Sequence, residues 1–180
     1  EFENTSFTSN VVDLERAAEA LAERGMAVNV LIGHSLGGAA VLAAAGRIKS
    51  ARAVVTIGAP YDPGHVTQNF GDALERIEAE GVAEVRLGGR GVRIGRGFVE
   101  DVRAEVLGPK ITGLRKALLV LHAPRDAVVG IENASEIFRA AKHPKSFVTL
   151  DGADHLISRA GDAEYAADVI AAWVPRYLDM

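Results

Sequence analysis

"NVLIGHSLGGAAVLAAAG", residues 29–46, joins an apolar run to a serine flanked by glycines and then to an alanine-rich stretch. The apolar run up to Ile32 predicts a buried strand, and the small residues that follow predict a helix packed closely against it. Gly33, Ser35 and Gly37 match G-x-S-x-G, a pattern that presents a serine hydroxyl at the tip of a strand. We therefore expect a strand, a sharp turn and a helix here, with Ser35 as the candidate nucleophile.

The glycines of this turn have a steric explanation. The serine backbone is strained in such a turn, and a Cβ two residues before or after it would collide with the strand–helix crossing. We therefore expect both Gly33 and Gly37 to be required. The structural alternative is that Ser35 is merely a small residue in a glycine-rich turn.

The composition is that of one globular domain. The 180 residues are 48% hydrophobic and 24% charged, with a formal net charge of -4, a balance that permits a buried core. This charge gives no reason to expect a nucleic acid or a membrane surface as partner. Cysteine is absent, which excludes disulfides and thiolate metal sites. No stretch approaches the roughly 20 apolar residues of a membrane span, and the chain starts unlike a signal peptide, so we expect a cytoplasmic protein.

Four short apolar runs alternate with helical patterns. Because these runs are apolar at almost every position, they need cover on both faces, which a parallel sheet flanked by helices provides. We expect the α/β class and a three-layer α/β/α sandwich with a mostly parallel sheet. The predicted strands are 27–32, 53–58, 117–121 and 146–150, and helices are predicted near 36–45, 131–141 and 162–174.

A further helix is predicted before the first strand. Asn10 is its expected N-cap, Asp13 reaches back to that cap, and Gly25 ends the helix. Its buried stripe is expected to consist of Val11, Leu14, Ala18 and Leu21.

The pattern changes in residues 61–113. Helices near 72–80 and 99–107 flank a predicted hairpin, whose strands 82–87 and 91–94 turn at residues 88–90,. Ligands of open α/β sheets bind at the carboxyl ends of the strands. We therefore expect this segment to be a lid inserted into a core formed by residues 1–60 and 114–180.

Four arginines make the predicted hairpin locally basic. No aromatic residues are interleaved with them, as a nucleic-acid platform would require. A solvated or anion-facing hairpin is therefore the better interpretation. The four are Arg86, Arg90, Arg93 and Arg96.

A serine nucleophile needs a base, and the base needs an orienting carboxylate. Asp126 lies just after the strand ending at Leu121, and His155 lies just after the strand ending at Leu150. Along the chain the order is serine, aspartate, histidine, which is the order found where the serine lies in a sharp strand–helix turn, the nucleophile elbow. We expect His155 to take the Ser35 proton and Asp126 to fix the imidazole tautomer.

Other residues near these motifs are expected to have supporting roles. The N–H of Leu36 is the expected oxyanion donor, and His34 is expected to line the pocket. Tyr61 is interpreted equally well as a pocket residue or as a lid-packing residue. Asp151 and Asp154 are expected to be turn residues. Among the other histidines, His122 is expected to pack at a strand end, His143 to lie at a helix end and His65 at the lid entrance. None of them forms a metal-binding pattern.

The motifs GHSLGG (33–38), LHAPRDAVVG (121–130) and DGADHL (151–156) resemble those of α/β-hydrolases, in the same order and over nearly the whole chain. More narrowly, residues 4–14, 51–60 and 138–156 are similar to bacterial α/β-hydrolases that are often fused to a following OsmC-like domain, although no such domain is present here. The resemblance implies hydrolysis of carboxylic esters without a cofactor, through an acyl-enzyme on Ser35.

The sequence departs from this family at its start. The fold normally has further strands and a helix before the helix expected here, and one of their loops donates the second oxyanion N–H. Without it, turnover is expected to fall on the order of 100- to 1000-fold. Strand 27–32 then becomes an exposed apolar edge, so we expect a homodimer that covers this edge.

Two functions remain open. The first is a small esterase for short to medium acyl chains, with a triad of Ser35, His155 and Asp126; acyl transfer or perhydrolysis would use the same residues. The second is a catalytically weak or silent hydrolase-like domain that acts as a fragment or interaction module.

Overall fold

The chain folds around a four-stranded parallel sheet. The computed structural model describes residues 5–87 and 90–178, and its main sheet has the strand order β1-β2-β5-β6. Each neighbouring pair in this sheet is parallel. The expected α/β class is therefore confirmed. The strands are β1 (Val30–His34), β2 (Ala53–Ile57), β5 (Ala117–His122) and β6 (Lys145–Thr149).

Helices connect the strands and cover the sheet. None of the helices in the described part of the chain is long and apolar enough to cross a membrane. The α-helices are α1 (Phe7–Glu23), α2 (Leu36–Ala44), α3 (Ala73–Glu80), α4 (Arg96–Ala104), α5 (Gly108–Thr112), α6 (Glu132–Ala140) and α7 (Ala160–Trp173), and 3₁₀ helices span Pro63–Phe70 and Val174–Tyr177.

The core has two parts, one on each face of the sheet. On one face, α2 and α6 pack against inward-facing strand residues such as Val54 and Leu118, and α1 packs against α2. On the other face, α7 packs against Val55, Leu119 and Leu121. Because every residue of β5 is buried, this strand has the unbroken apolar pattern that cover on both faces requires. The three-layer arrangement is thus the one expected.

Helix α1 begins three residues before the predicted N-cap, so the expected role of Asn10 is wrong. The cap is Ser6, whose hydroxyl accepts from the Ser9 N–H, while the Ser9 hydroxyl oxygen accepts from the Ser6 N–H. This reciprocal pair satisfies two N–H groups that the first turn leaves open. Phe7, the first residue of α1, is fully buried in the core, and this burial holds the first turn of the helix in place.

Strand β1 is shifted toward the serine compared with the predicted strand 27–32. It begins at Val30 because its partner β2 begins at Ala53, and it continues to His34 because that residue still pairs with Ile57. As expected, β1 lies at an edge of the described sheet. Its Ile32 side chain is 52% exposed.

Residues 61–113 leave the sheet after β2 and return to it at β5. Within this segment, β3 (Val82–Leu87) and β4 (Arg90–Gly95) form an antiparallel hairpin. The second strand begins one residue earlier than predicted, because Arg90 pairs with Leu87; Gly88 and Gly89, in the predicted turn, lie outside the described residues. The helix predicted at 99–107 is α4, which starts at residue 96 directly after β4.

Candidate active site

Ser35 occupies the turn between β1 and α2. Its φ of 53° and ψ of -128° lie in a region that non-glycine residues rarely adopt, which costs on the order of 1–3 kcal/mol. The Ser35 N–H donates to the Ile57 carbonyl at 2.8 Å. That bond ties the strained turn to the end of β2, so the sheet holds the serine at the strand tip.

The glycines around Ser35 are not equivalent. A Cβ on Gly33 would lie 2.3 Å from the Gly37 carbonyl oxygen, and a Cβ on Gly38 would lie 2.5 Å from the Ala59 Cβ. A Cβ on Gly37 would meet nothing within 4 Å. The expectation that Gly37 is sterically required is therefore wrong, because its Cβ would extend away from the strand–helix crossing. Gly33 and Gly38 are the positions that permit the close approach.

Three side chains form a hydrogen-bonded chain at the carboxyl ends of the strands. The Ser35 Oγ lies 3.0 Å from His155 Nε2, and His155 Nδ1 lies 2.7 Å from Asp126 Oδ2. The carboxylate can only accept, so the neutral imidazole carries its proton on Nδ1 and leaves the Nε2 lone pair toward the serine hydroxyl. This arrangement can remove a proton from Ser35.

The Asp126 carboxylate is almost fully buried, yet it is kept ionised. Burial by itself would raise the Asp126 pKa, but hydrogen bonds from the Val129 N–H, the His155 ring and the Val128 N–H outweigh it. The pKa therefore lies below its usual range. Since Oδ1 accepts both backbone bonds, Oδ2 is left for the imidazole.

His34 supports the loop that carries His155. Its Nε2 lies 2.7 Å from the His155 carbonyl oxygen, and the two ring centroids are 5.0 Å apart. A carbonyl can only accept, so His34 Nε2 carries the proton and donates. His34 also lines the cavity, as expected.

His122 lies behind Asp126 and is completely buried. Its Nε2–H donates to the Val129 carbonyl at 2.8 Å, which fastens the far end of the loop that holds Asp126. Within the described residues, its Nδ1 has no hydrogen-bond partner. His122 is thus a packing residue at a strand end, as expected, and it also anchors this loop.

Two further positions lie beside Ser35, His155 and Asp126. Leu36 is the first residue of α2, and an N–H in the first turn of a helix has no acceptor within that helix. Gly58, with φ of +56°, leaves space for two of these side chains, since a Cβ there would lie 3.3 Å from Asp126 Oδ2 and 3.4 Å from His155 Nδ1. Leu36 was expected at the site. The positive φ of Gly58 was not, because only its being a glycine indicates this backbone conformation.

The Ser35 hydroxyl opens into a cavity of about 490 Å³, a size typical of small-molecule sites. Of the predicted site residues, Ser35, His155, His34 and Leu36 line it. Residues of the described chain that line it are His34, Ser35, Leu36, Pro60, His65, Val66, Asn69, Phe70, Arg86, Ile94, Phe98, Val128, Val129, His155 and Leu156.

Tyr61 does not belong to this set of described lining residues. Its N–H donates to Asn133 Oδ1 at 3.0 Å, and its hydroxyl packs against Gly108, where a Cβ would lie 2.5 Å from the hydroxyl oxygen. Tyr61 packs at the edge of the larger core. Of its two expected roles, this position corresponds to packing.

Many lining residues come from the segment 61–113, and sequence reasoning did not assign them to the cavity. Phe70, Ile94 and Phe98 are far from Ser35 in sequence, and their apolar character alone does not distinguish a core residue from a pocket residue. By contrast, Val128 and Leu156 stand within two residues of Asp126 and His155, a proximity that would have identified them.

The acids next to His155 in sequence take other positions. Asp154 Oδ1 accepts from the Ser158 N–H at 2.8 Å, and this bond and others from the same turn lower the Asp154 pKa. Asp154 therefore acts as the turn residue that was expected. Within the described ranges, no group of three or more histidines and acids could hold a metal ion.

Comparisons with known proteins identify the family. A model described as the alpha/beta hydrolase family matches residues 1–172. The crystal structure of an esterase domain from Rhodothermus marinus is 45% identical, with a TM-score of 0.81, and the match covers 99% of this chain and 73% of that one. No curated protein matches.

Two more distant structures share the fold. Est1E from Butyrivibrio proteoclasticus, with ferulic acid bound, is 15% identical with a TM-score of 0.81 over 99% of this chain and 71% of that one. A puromycin-hydrolyzing peptidase from Mycobacterium tuberculosis is 22% identical with a TM-score of 0.69, over 94% of this chain and 25% of that one. With the family model matching almost its full length, the chain belongs to the alpha/beta hydrolase family.

Proposed function

We propose that this protein hydrolyses carboxylic esters, with Ser35 as nucleophile, His155 as general base and acid, and Asp126 as the orienting carboxylate. The observation that carries the proposal is the continuous chain of hydrogen bonds, 3.0 Å from Ser35 Oγ to His155 Nε2 and 2.7 Å from His155 Nδ1 to Asp126 Oδ2. The esterase domain from Rhodothermus marinus, 45% identical, gives further support.

In the first half of the reaction, the Ser35 proton moves to His155 Nε2 while Oγ bonds to the ester carbonyl carbon. The tetrahedral intermediate then expels the alcohol, which takes that proton from Nε2, and the acyl group remains on Ser35. In the second half, a water gives its proton to Nε2 and attacks the acyl carbon. The acid is released as Oγ recovers the proton.

The negative charge that develops on the carbonyl oxygen needs donors. The N–H of Leu36, at the positive end of α2, is the proposed first donor,. Removal of a single oxyanion donor typically costs on the order of 100- to 1000-fold in turnover. We therefore expect the turnover rate of ester hydrolysis to depend strongly on how completely this charge is stabilised.

The cavity supports short to medium acyl chains as substrates. Its walls are mainly apolar, and several come from the segment 61–113, including Val66, Phe70 and Phe98. We propose that this segment acts as a lid that shields the reacting groups from water. Tyr61 stays a proposed lid-packing residue.

The decisive experiment compares hydrolysis of short-chain nitrophenyl esters and labelling by a fluorophosphonate in the wild type, Ser35→Ala and Ser135→Ala. Ser135 is an exposed serine on α6 and provides the matched control. We expect labelling and turnover in the wild type and Ser135→Ala, and neither in Ser35→Ala. Equal behaviour of all three proteins would refute the proposal and favour a silent hydrolase-like domain. Product analysis with added alcohol or peroxide distinguishes hydrolysis from acyl transfer and perhydrolysis.

We also propose that a second copy of the chain covers the β1 edge. The outer side of an edge strand has open N–H and C=O groups, and here Ile32 exposes an apolar side chain beside them. A copy related by a twofold axis would bring an identical strand to this edge. Light scattering at micromolar concentration should give a dimer that Ile32→Lys dissociates and Val106→Lys, at another exposed apolar position, leaves intact. A monomeric wild type would contradict this.

A further inference from the structure

The cavity beside Ser35 has a single permanent charge among its described lining residues, the guanidinium of Arg86. The rest of the lining is mainly apolar, with histidines and Asn69 as its other nitrogen-bearing side chains, and none of the described lining residues is acidic. Arg86 is exposed, so water solvates its charge in the free protein, and that charge is available to an anion that enters the cavity. The lining is therefore electrostatically matched to an anionic group.

The Arg86 side chain has no direct polar partner in the described part of the protein. It forms neither an ion pair nor a hydrogen bond there, and its cross-strand neighbour on β4 is Gly91, which has no side chain to offer. Glu84 lies two residues earlier on the same strand, and its carboxylate lies over Gly91, but it forms no ion pair with Arg86. Several other arginines are paired with acids, namely Arg47 with Glu15, Arg103 with Glu78, Arg139 with Glu136 and Arg159 with Asp162.

We propose that the substrate is an ester that carries a carboxylate remote from the scissile bond, and that Arg86 binds this carboxylate. This inference rests on the proposed esterase function. A guanidinium presents parallel N–H donors that fit a carboxylate in two-point contact. One guanidinium balances one carboxylate, whereas a phosphate dianion would need a second cation, which the described lining does not provide.

Arg86 is thus a specificity-determining residue that does not touch the reacting atoms. It holds the remote carboxylate equally in the ground state and in the transition state, so its effect should fall mainly on KM. Without it, the same apolar cavity would have no preference for a carboxylate ester over a neutral ester.

The test compares pairs of substrates that differ only in the remote charge. One arm uses 4-nitrophenyl monoesters of linear dicarboxylic acids against 4-nitrophenyl esters of monocarboxylic acids with the same chain length. The other arm uses acetate esters of linear hydroxy acids against acetates of the matching alcohols. The first arm places the carboxylate on the acyl side and the second on the alcohol side.

In at least one arm we expect kcat/KM for the carboxylate ester to exceed that of its neutral partner by about tenfold or more at one chain length. Arg86→Gln should abolish this advantage by raising KM, and Arg86→Lys should retain part of it, since a lysine keeps the charge but loses the two-point contact. Arg93→Gln is the matched control. Arg93 lies on the neighbouring strand and is not among the described residues that line the cavity, so the advantage should persist there.

A binding measurement supplies a readout that does not need turnover. Calorimetry with the Ser35→Ala variant should show tighter binding of the monomethyl ester of a dicarboxylic acid than of the dimethyl ester, and Arg86→Gln in that background should remove the difference. If neutral esters are hydrolysed and Ser35 is labelled but neither arm favours the carboxylate, the inference is wrong and the proposed function stands. If no ester is hydrolysed and no label is attached, both are wrong.

Discussion

Replacing Gly33 with alanine tests the strand–helix crossing that presents Ser35. The new Cβ would lie 2.3 Å from the Gly37 oxygen, 2.5 Å from the Gly37 carbonyl carbon and 2.7 Å from the Gly38 Cα. All three are backbone atoms, so no side-chain rotation can relieve the overlap. Either β1 or the first turn of α2 must move.

The magnitude follows from the size of this overlap. Overpacking a well-packed site costs about 1–3 kcal/mol, and backbone contacts place Gly33→Ala at or above the upper end. In a chain of this size, a loss of about 3 kcal/mol lowers Tm by roughly 6–12 °C. Gly37→Ala should have the opposite sign, because its Cβ points into open space and alanine is favoured over glycine in a helix by up to about 1 kcal/mol.

The assay is urea unfolding of the wild type, Gly33→Ala and Gly37→Ala, followed by circular dichroism at equal protein concentration. Fluorophosphonate labelling of Ser35 in the same samples reports on the geometry of the turn. We expect Gly33→Ala to lose both stability and labelling, and Gly37→Ala to keep both. Two variants with equal unfolding free energies would refute the steric account of this turn.

Three further changes probe the residues around Ser35. Because the Asp126 pKa is depressed, its stabilising charge is fully present above the unfolded pKa of about 3.9 and is lost as pH falls through the folded pKa. Asp126→Asn should therefore lower the free energy of unfolding more at neutral pH than at about pH 3, and should reduce kcat by about 10⁴-fold; equal losses of stability at both pH values would contradict the assignment. His34→Leu removes the donor to the His155 carbonyl and should lower kcat about tenfold, whereas His34→Gln, which can still donate, should restore most of it; a Gln variant as slow as the Leu variant would exclude that bond as the cause. Leu156→Ala removes an exposed apolar contact from the cavity and should raise KM severalfold for medium-chain esters but not for acetates, without changing Tm; an equal effect on both esters would argue against acyl contact.

Local sequence patterns predicted the sheet well because burial on both faces leaves an unbroken apolar signal. The strand 117–121 became β5 with a single added residue, His122. The first strand was misplaced because its ends depend on pairing with β2, from Ala53 to Ile57, and a partner strand is not visible in a local pattern. The start of α1 was missed for a different reason, since Ser6 and Ser9 form a capping pair without the usual acidic residue.

Within the site, the sequence indicated that Ser35, Asp126 and His155 lie together, because acyl-transfer chemistry restricts both residue type and order, and the structure joins them in one chain of hydrogen bonds. The cavity walls could not be predicted, since Phe70 and Phe98 reach Ser35 only through the path of the whole segment 61–113. The error at Gly37 has a geometric origin. Equal spacing on either side of Ser35 suggested equal crowding, but strand and helix direct their Cβ atoms differently,.

Strands β1 and β6 form the two opposite edges of the described sheet, and Ser35 and His155 follow them. Three inter-strand spacings, roughly 14 Å, separate these edges, so the loop after β6 must return across the sheet to meet the serine. Loss of either edge strand by local opening would separate His155 from Ser35 while most helices and the central strands stay folded. We therefore expect that a protein with either edge strand opened has lost its activity before it unfolds globally.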